Sequence, residues 1–425
     1  MITERELQFI GIGPHGASAL CRLLTRSQSR QLVERGWTQY RAGDFTASMR
    51  CANKAIQLSE NNSAAWALGA AGLAAVDDHE TALSFLQRAA DLDPSNHTLA
   101  VLAKQRRFWS AWHKLSLGEW TPEAWEGWEE RFQIPAITRD GKTLLTQIVD
   151  RSEYWDGKSS LLGKTFFLDL EGGLGDIVQY GRCVPIIKAA GARVVVMLDS
   201  YSQRITPLLR LCSSIDEIIP VYARCRQNVP PHDVALLASA FTLVLGTTFD
   251  DVPDAQWFSD PPLEYIERAR AKIGKDALKV GLSWASSDDR RRDVSLSAFA
   301  ELAMIPGVRL FGLQRGRAAK ELEGINFEVT NLEDDDGDCI DTAAAMCALD
   351  LIVSVDSFTA HLAGALGLPC WTLLPTPCDW RWIRHGATTP WYPTMRLFRQ
   401  SIKGDWSRPV AEVVAAVREM IDPPN

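Results

Sequence analysis

Between residues 162 and 374 the chain alternates short apolar runs with longer segments of mixed polarity. The first runs are Thr165–Leu170 (TFFLDL), Arg193–Leu198 (RVVVML), Glu217–Val221 and Val234–Leu237. The pattern restarts at Leu278–Trp284 (LKVGLSW) and continues with Val308–Leu313 (VRLFGL), Leu351–Val355 (LIVSV) and Cys370–Leu374 (CWTLL). Runs this apolar, without alternation, predict strands buried on both faces, which means parallel sheet covered by helices. The segments between them predict helices from Asp176 to about Ala190, near Leu208–Leu211, and over Ser297–Met304, Asp341–Leu349 and Thr359–Leu366. A proline-rich interval, Asp260–Leu263 (DPPL), and the helix after it divide the strands into two sets. Two doubly wound lobes in tandem place their strand ends across one cleft, and ligands of such sheets bind beyond the carboxyl ends of the strands.

The first third has a different period. Ala55 falls opposite Ala89, Ile56 opposite Ala90, Leu58 opposite Leu92 and Asn62 opposite Asn96, a repeat of 34 residues (89 − 55). Trp66, Ala82, Ala89 and Pro94 stand where tetratricopeptide repeats carry Trp, Ala, Ala and Pro, and Gly36, Tyr40, Gly43, Asp44 and Phe45 fit the same frame. This predicts paired antiparallel helices, with alanines permitting close approach and Pro94 ending a helix. A looser third copy ends in Gly118-Glu119-Trp120 through Ala124, Trp125, Trp128 and Phe132. Two or three repeats are near the minimum for a stable stack, so the array is expected to dock on the body. Trp109, Trp112, Trp120, Trp125 and Trp128 would form the seam, either as packed core or as a groove that stacks sugars or peptides. The expected organisation is an extension (1–28), helical repeats (29–135), a linker (136–161), an N-terminal Rossmann-like lobe (162–275) and a C-terminal one (276–425).

Composition narrows the function. The chain has 425 residues, 45 basic against 53 acidic side chains and a net charge of −8. It lacks the basic footprint that a nucleic-acid or anionic-membrane binder needs. The nine cysteines include no CxxC pair, and their odd number argues for reduced thiols and a cytoplasmic protein. No signal peptide and no membrane span is expected. Gly11-Ile12-Gly13-Pro14-His15-Gly16 matches GxGxxG, but a helical repeat follows it instead of a βαβ unit, so dinucleotide binding is not expected there.

Three constellations carry candidate chemistry. Gly172-Gly173-Leu174-Gly175-Asp176 follows the first strand and opens a helix. The glycines let the backbone turn and a substrate approach. Asp176 either caps that helix or, facing a substrate hydroxyl, acts as general base. Asp356-Ser357-Phe358-Thr359-Ala360-His361 ends one strand and starts another helix. Its open N–H groups and hydroxyls make an anion site suited to a pyrophosphate, unless Ser357 or Thr359 merely caps and His361 is a satisfied core histidine. Ser283-Trp284-Ala285-Ser286-Ser287 runs into Arg290-Arg291-Arg292, whose guanidinium groups can fork phosphate oxygens or simply be solvated among Asp288, Asp289 and Asp293. Gln314-Arg315-Gly316 at the next strand end is a further polar candidate, weak by itself. The acidic run Asp334–Asp338 lacks calcium-loop spacing, and no metal is expected.

Taken together, EGGLGDIVQYGR, GLSWA, DTAAAMCALDLIVSVDSFTAHLAGALGLPCWTLLP, DWRW and PWYPTMRLFRQ resemble the bacterial tetratricopeptide-repeat glycosyltransferases whose catalytic region is similar to the lipopolysaccharide heptosyltransferases of glycosyltransferase family 9. The resemblance runs from about residue 30 onward. It implies an α/β GT-B fold preceded by an all-α repeat domain, with a nucleotide-sugar on the C-terminal lobe and an acceptor on the N-terminal lobe. It also implies that neither metal nor cofactor takes part. Asp176 matches the catalytic base. Asp356 and Ser357 match the donor-contacting pair, and His361 matches the histidine near the diphosphate. Ser283, Ser286, Arg291, Arg292, Gln314 and Thr359 complete the expected donor side; Gly173, Gly175 and Gln179 the acceptor-side loop. The family's phosphate-binding lysine is absent, so Arg291 or Arg292 stands in for it. The implied reaction is inverting transfer of a hexosyl or heptosyl group to a glycan, lipid or protein acceptor that the repeats help recruit. The competing reading is a catalytically inactive scaffold, and a nicotinamide oxidoreductase ranks last for want of the full glycine fingerprint.

Overall fold

The computed structural model describes residues 14–76, 78–95, 106–133, 148–222, 225–274, 277–287, 289–334 and 337–422. The chain forms two compact units: residues 1–115 with 126–142, and residues 116–125 with 143–425. The division differs from the expected one, because residues 116–125, read above as part of the repeats, belong to the second unit.

The first unit is helical throughout its described residues. Helices Pro14–Arg41, Phe45–Leu58, Ser63–Ala75 and His79–Leu92 follow one another, each packed against the next. The repeat of 34 reappears as a shared cap. Asp44 accepts the amide of Ala47 at 2.8 Å, and Asp78 accepts that of Thr81 at 3.2 Å, each opening the second helix of a pair. Ala55 and Ala89, also one period apart, are both buried. Of the GxGxxG segment, residues 11–13 lie outside the described residues; Pro14 already begins the first helix. Among the tryptophans, Trp128 of this unit stacks on Phe108 (centroids 5.6 Å apart) and packs on Trp112 (5.8 Å).

The second unit contains two parallel sheets. The strands are β1 (Thr165–Asp169), β2 (Arg193–Leu198), β3 (Glu217–Pro220), β4 (Val234–Leu237), β5 (Leu278–Ser283), β6 (Val308–Gly312), β7 (Thr330–Asn331), β8 (Leu351–Val355), β9 (Cys370–Leu374) and β10 (Met395–Arg399). The order is β3-β2-β1-β4 in the first sheet and β10-β9-β8-β5-β6-β7 in the second, and every pairing is parallel. This is the expected α/β architecture, and the apolar runs are buried as their composition requires: all five residues of β8 and all four of β4.

In each sheet the direction of winding reverses at one place. β1 lies between β2 and β4, and β5 lies between β6 and β8. Crevices open at such switch points because the connections from the two central strands leave in opposite directions. The glycine loop follows β1, the Ser283–Ser287 loop follows β5, and Asp356-Ser357 follows β8. All three candidate constellations therefore sit at switch points.

Several boundaries differ from the sequence reading. Ile148 and Val149, placed above in a linker, are buried against Phe167, Met197 and Ala235, and Trp155 donates its amide to the carbonyl of Ala235 at 3.0 Å. The helix Leu263–Ile273, assigned above to the N-terminal lobe, packs on Cys339–Cys347 of the second sheet's cover. The expected single helix from Asp176 to Ala190 is broken into Leu174–Tyr180, a 3-10 turn Gly181–Cys183 and Val184–Ala189. Gly181 lies so close to the Trp257 ring that no Cβ would fit, and Pro185 cannot continue an α-helical ladder from the preceding turn.

Candidate functional site

A cavity of about 450 Å3 opens between the strand ends of the two sheets. Gly173, Leu174, Gly175 and Asp176 line it from the first sheet's side. Ser283, Ser286, Arg292, Gln314, Asp356, Ser357, Thr359 and His361 line it from the second. Eleven of the thirteen residues singled out above thus share one space; Arg291 and Gln179 do not.

Gly172 turns the chain out of β1 at φ +95°, and a Cβ there would meet the Asp176 side chain at 2.7–2.9 Å. The glycine is therefore needed both for the turn and for Asp176 to fold back over it. Asp176 accepts the amide of Gly173 on Oδ2 (2.9 Å) and a guanidinium N–H of Arg381 on Oδ1 (2.8 Å). It is a capping residue and a cavity residue at once. Glu171, buried just before the loop, accepts the amide of Ala238 at 3.0 Å and the amide and hydroxyl of Ser239, tying the loop after β1 to the end of β4.

On the facing side, Asp356 is buried beside the Trp382 indole, and neither carboxylate oxygen has a well-formed hydrogen bond among the described residues. Its nearest cation is Arg292, with Nη1 3.4 Å from Oδ2; the same nitrogen donates to the Asp356 carbonyl at 3.2 Å. Burial, only partly offset by Arg292, pushes the Asp356 carboxyl up to about 6. His361 is buried one turn into its helix. Its Nδ1 pairs with the Tyr392 hydroxyl at 2.8 Å, and its Nε2 faces Asp356 Oδ1 at 4.0 Å. Burial, together with Arg381, Arg292 and Arg182, holds the imidazole well below its usual range, so it is neutral. Burial likewise raises the Tyr392 phenol to about 12. A Cβ at Gly175 would come within 2.8 Å of His361 Cδ2, so this glycine lets the Asp176 helix lie directly on the His361 helix. Ser357 begins the His361 helix, with its hydroxyl 3.1 Å from that of Ser354.

Several assignments from sequence need correction. Arg291 is an exposed residue whose Nε and Nη2 are bound to Asp289 at 2.7–3.1 Å; a 3-10 turn points it away from the cavity, and Arg292 alone of the triplet lines the cavity. Gln179 is wholly buried in its helix and does not line the cavity. Gln314 does line the cavity, but its Oε1 accepts the amides of Trp284 (3.0 Å) and Ala285 (2.9 Å), so it shapes the loop after β5. In the same loop the Ser286 amide is taken by Asp293 at 3.0 Å. Of the acidic run, Asp335 and Asp336 lie outside the described residues, and Asp338 caps the helix Cys339–Cys347 through the amide of Ile340 at 2.7 Å.

The sequence reading missed Arg204, Arg317, Glu333, Thr342 and Arg381, which line the cavity together with Arg315. Arg315 is consumed locally, bound to Glu333, to the carbonyls of Gly337 and Asp338, and to Thr342. Arg317 is held by Asp293 at 3.0 Å. Arg381 had a signal: it is the one charge inside the aromatic stretch Trp380-Arg381-Trp382. Among the described residues, no helix is long and apolar enough to cross a membrane, and no cluster of three or more His, Cys, Asp or Glu side chains is disposed to hold a metal.

No protein-family model matches the chain. Protein FlbA of Caulobacter vibrioides is 27% identical to it over 402 residues, which cover 89% of this chain and 65% of that protein; the chain thus falls short of two thirds of that relative's length. Among solved structures, a glycosyl transferase family 9 protein from Veillonella parvula is 12% identical, covers 63% of this chain and 92% of its own, and has a TM-score of 0.44. The ADP-heptose lipopolysaccharide heptosyltransferase II of E. coli is 14% identical, covers 60% and 98%, and has a TM-score of 0.43.

Proposed function

We propose that the protein is a glycosyltransferase of GT-B type, moving a sugar from a nucleoside-diphosphate donor to an acceptor hydroxyl with inversion and without a metal. The observation that carries the reading is that Asp176 and the Ser357–His361 segment, distant in sequence, line one cavity of about 450 Å3. The motif resemblance supports it independently. In the reaction, the acceptor oxygen attacks the anomeric carbon and its proton passes to Asp176. The bond from that carbon to the diphosphate oxygen breaks, and the nucleoside diphosphate leaves with the electron pair. Arg292, the Ser357 hydroxyl, the open amides at the start of its helix and Nε2 of His361 meet the charge that develops on the leaving group. Because His361 is neutral, it serves as a hydrogen-bond donor and not as a second cation.

The N-terminal helices, in this reading, are tetratricopeptide repeats that present the acceptor. The recurrent Asp44 and Asp78 caps and the buried Ala55 and Ala89 support the repeat register. A catalytically silent scaffold remains the second reading, favoured by one observation: both oxygens of Asp176 are engaged, by Gly173 and by Arg381. The test is calorimetry of the purified chain in EDTA against ADP, UDP, GDP, CDP and dTDP, followed by a hydrolysis screen of the corresponding nucleotide-sugars. The transferase reading expects one nucleotide to bind without metal, its sugar conjugate to be cleaved, and Asp176→Asn to abolish cleavage. Binding without cleavage by the wild-type chain would favour the scaffold, and no binding at all would reject the transferase.

A further inference from the structure

The base proposed above is restrained as it stands. Its Oδ1 holds Arg381 at 2.8 Å and its Oδ2 holds the Gly173 amide at 2.9 Å. A carboxylate that accepts a proton in the transition state must present a lone pair to the substrate hydroxyl, and Arg381 occupies and orients one of those on Oδ1. The same cavity offers Arg381 another partner. We propose that Arg381 is a diphosphate-binding residue that exchanges partners: when the donor enters, its guanidinium moves from Asp176 to the phosphate oxygens, and the released carboxylate becomes the proton acceptor. The inference rests on the transferase reading and adds to it an order of events, donor first and base second.

Four features of the site support this assignment. The guanidinium is incompletely satisfied, since its Nε makes no hydrogen bond; the nearest carboxylate oxygen, Asp379 Oδ1, is 3.5 Å away, and the Tyr180 hydroxyl lies 3.4 Å from Nη2. A planar fork of this kind matches two phosphate oxygens better than one carboxylate oxygen. Two of the other cavity arginines are already committed: Arg315 to four groups around Glu333, and Arg317 to Asp293. The backbone beneath Arg381 is fixed, so the exchange needs only side-chain rotation. Asp379 accepts the Arg381 amide at 3.1 Å, and Arg399 of β10 clamps the carbonyls of Trp382 (2.7 Å) and Ile383 (2.8 Å). Trp380 packs against Trp120, Trp125 and Trp391.

The test is a double-mutant cycle read by titration of inorganic pyrophosphate and of the best nucleoside diphosphate at constant low ionic strength. Arg381→Gln should weaken binding about tenfold or more, as expected for a lost charge-assisted bond. Asp176→Asn should tighten it about two- to fivefold, because Arg381 no longer has a carboxylate to leave. The deciding variant carries both changes: it should bind like Arg381→Gln alone, with the gain from Asp176→Asn abolished. If Asp176→Asn tightens binding equally in both backgrounds, the gain is plain relief of charge repulsion and the exchange is overturned; so is it if Arg381→Gln binds as tightly as wild type. Should Arg381→Gln fail to fold, Arg381→Lys replaces it, keeping a charge without the fork, with the same loss and the same non-additivity required. Failure of pyrophosphate and every nucleotide to bind wild type would instead remove the transferase reading itself, and the inference with it.

Discussion

Replacing Asp356 by asparagine should stabilise the protein at neutral pH relative to its stability at acid pH. The side chain is 1% exposed, and neither of its oxygens has a well-formed hydrogen bond among the described residues. Burial raises its pKa from 3.8 to about 6. Between those values the native protein holds a proton that the unfolded chain has released. The native state then binds more protons than the unfolded one, so the free energy of unfolding falls as pH rises through the window. The favourable contribution is fully present below about pH 4 and is lost above about 6. At about 1.4 kcal/mol per pH unit, a rise from 3.8 to about 6 corresponds to about 3 kcal/mol.

Asparagine has the same shape and no charge, so the difference in stability between Asp356→Asn and wild type should move by about 3 kcal/mol in the variant's favour between pH 4 and pH 7. The pH dependence matters more than the offset, since an amide buried without partners carries its own cost of about 1–3 kcal/mol at every pH. Urea unfolding followed by tryptophan fluorescence at half-unit steps of pH measures it. His361, buried and neutral, has the opposite slope, its contribution being lost as pH falls below about 6.5, but it is common to both proteins and largely cancels in the difference. A difference that stays flat from pH 4 to 7 would refute the reasoning, because it would mean that Asp356 ionises alike in the folded and unfolded chain.

Other substitutions test the geometry around it. Gly175→Ala places a methyl 2.8 Å from the His361 ring and should cost about 1–3 kcal/mol of packing, offset by at most about 1 kcal/mol of helix propensity; urea midpoints and diphosphate affinity should both fall. Tyr392→Phe leaves the buried Nδ1 of His361 without its 2.8 Å partner, an expected loss of about 1–3 kcal/mol in unfolding measurements. Arg291→Ala removes an exposed pair with Asp289 outside the cavity and should change stability by less than about 1 kcal/mol, with unchanged nucleotide titrations. Arg292→Ala in the same titrations should weaken binding about tenfold or more.

The sequence made the strands and their loops legible because buried parallel strands leave an unbroken apolar signature. All eight expected strands occur, and the chemistry lies on the loops that follow them. Two strands were missed: β7 has only two residues, and β10 (MRLFR) interleaves arginines with apolar residues, as an edge strand partly open to solvent does. The break at Gly181–Cys183 had a local sign in Pro185, but its other element, Trp257 lying against Gly181, is a tertiary neighbour that the sequence does not show. The same limit applies to the arginines. Three in a row look alike in sequence, and the Asp289 cap decides that Arg292 enters the cavity while Arg291 turns to Asp289. Arg381 was passed over because its meaning depends on Asp176, 205 residues away.

The unsatisfied groups of the cavity gather on one side of it. The glycine loop is complete in itself: Asp176 has two partners, and Glu171 has Ala238 and Ser239. The opposite wall is not. The Asp356 oxygens and the Arg381 Nε, on two residues that line the cavity, are buried without a well-formed hydrogen bond among the described residues. Proteins rarely leave such groups unmatched, and where they do the cost is tolerated for function. A ligand that satisfied this wall would need acceptors for Arg292, Arg381 and His361 and hydroxyl donors for Asp356, which a phosphorylated sugar supplies in one molecule. The pH-dependent stability that Asp356→Asn should recover is the measure of what burying this one carboxylate costs the fold.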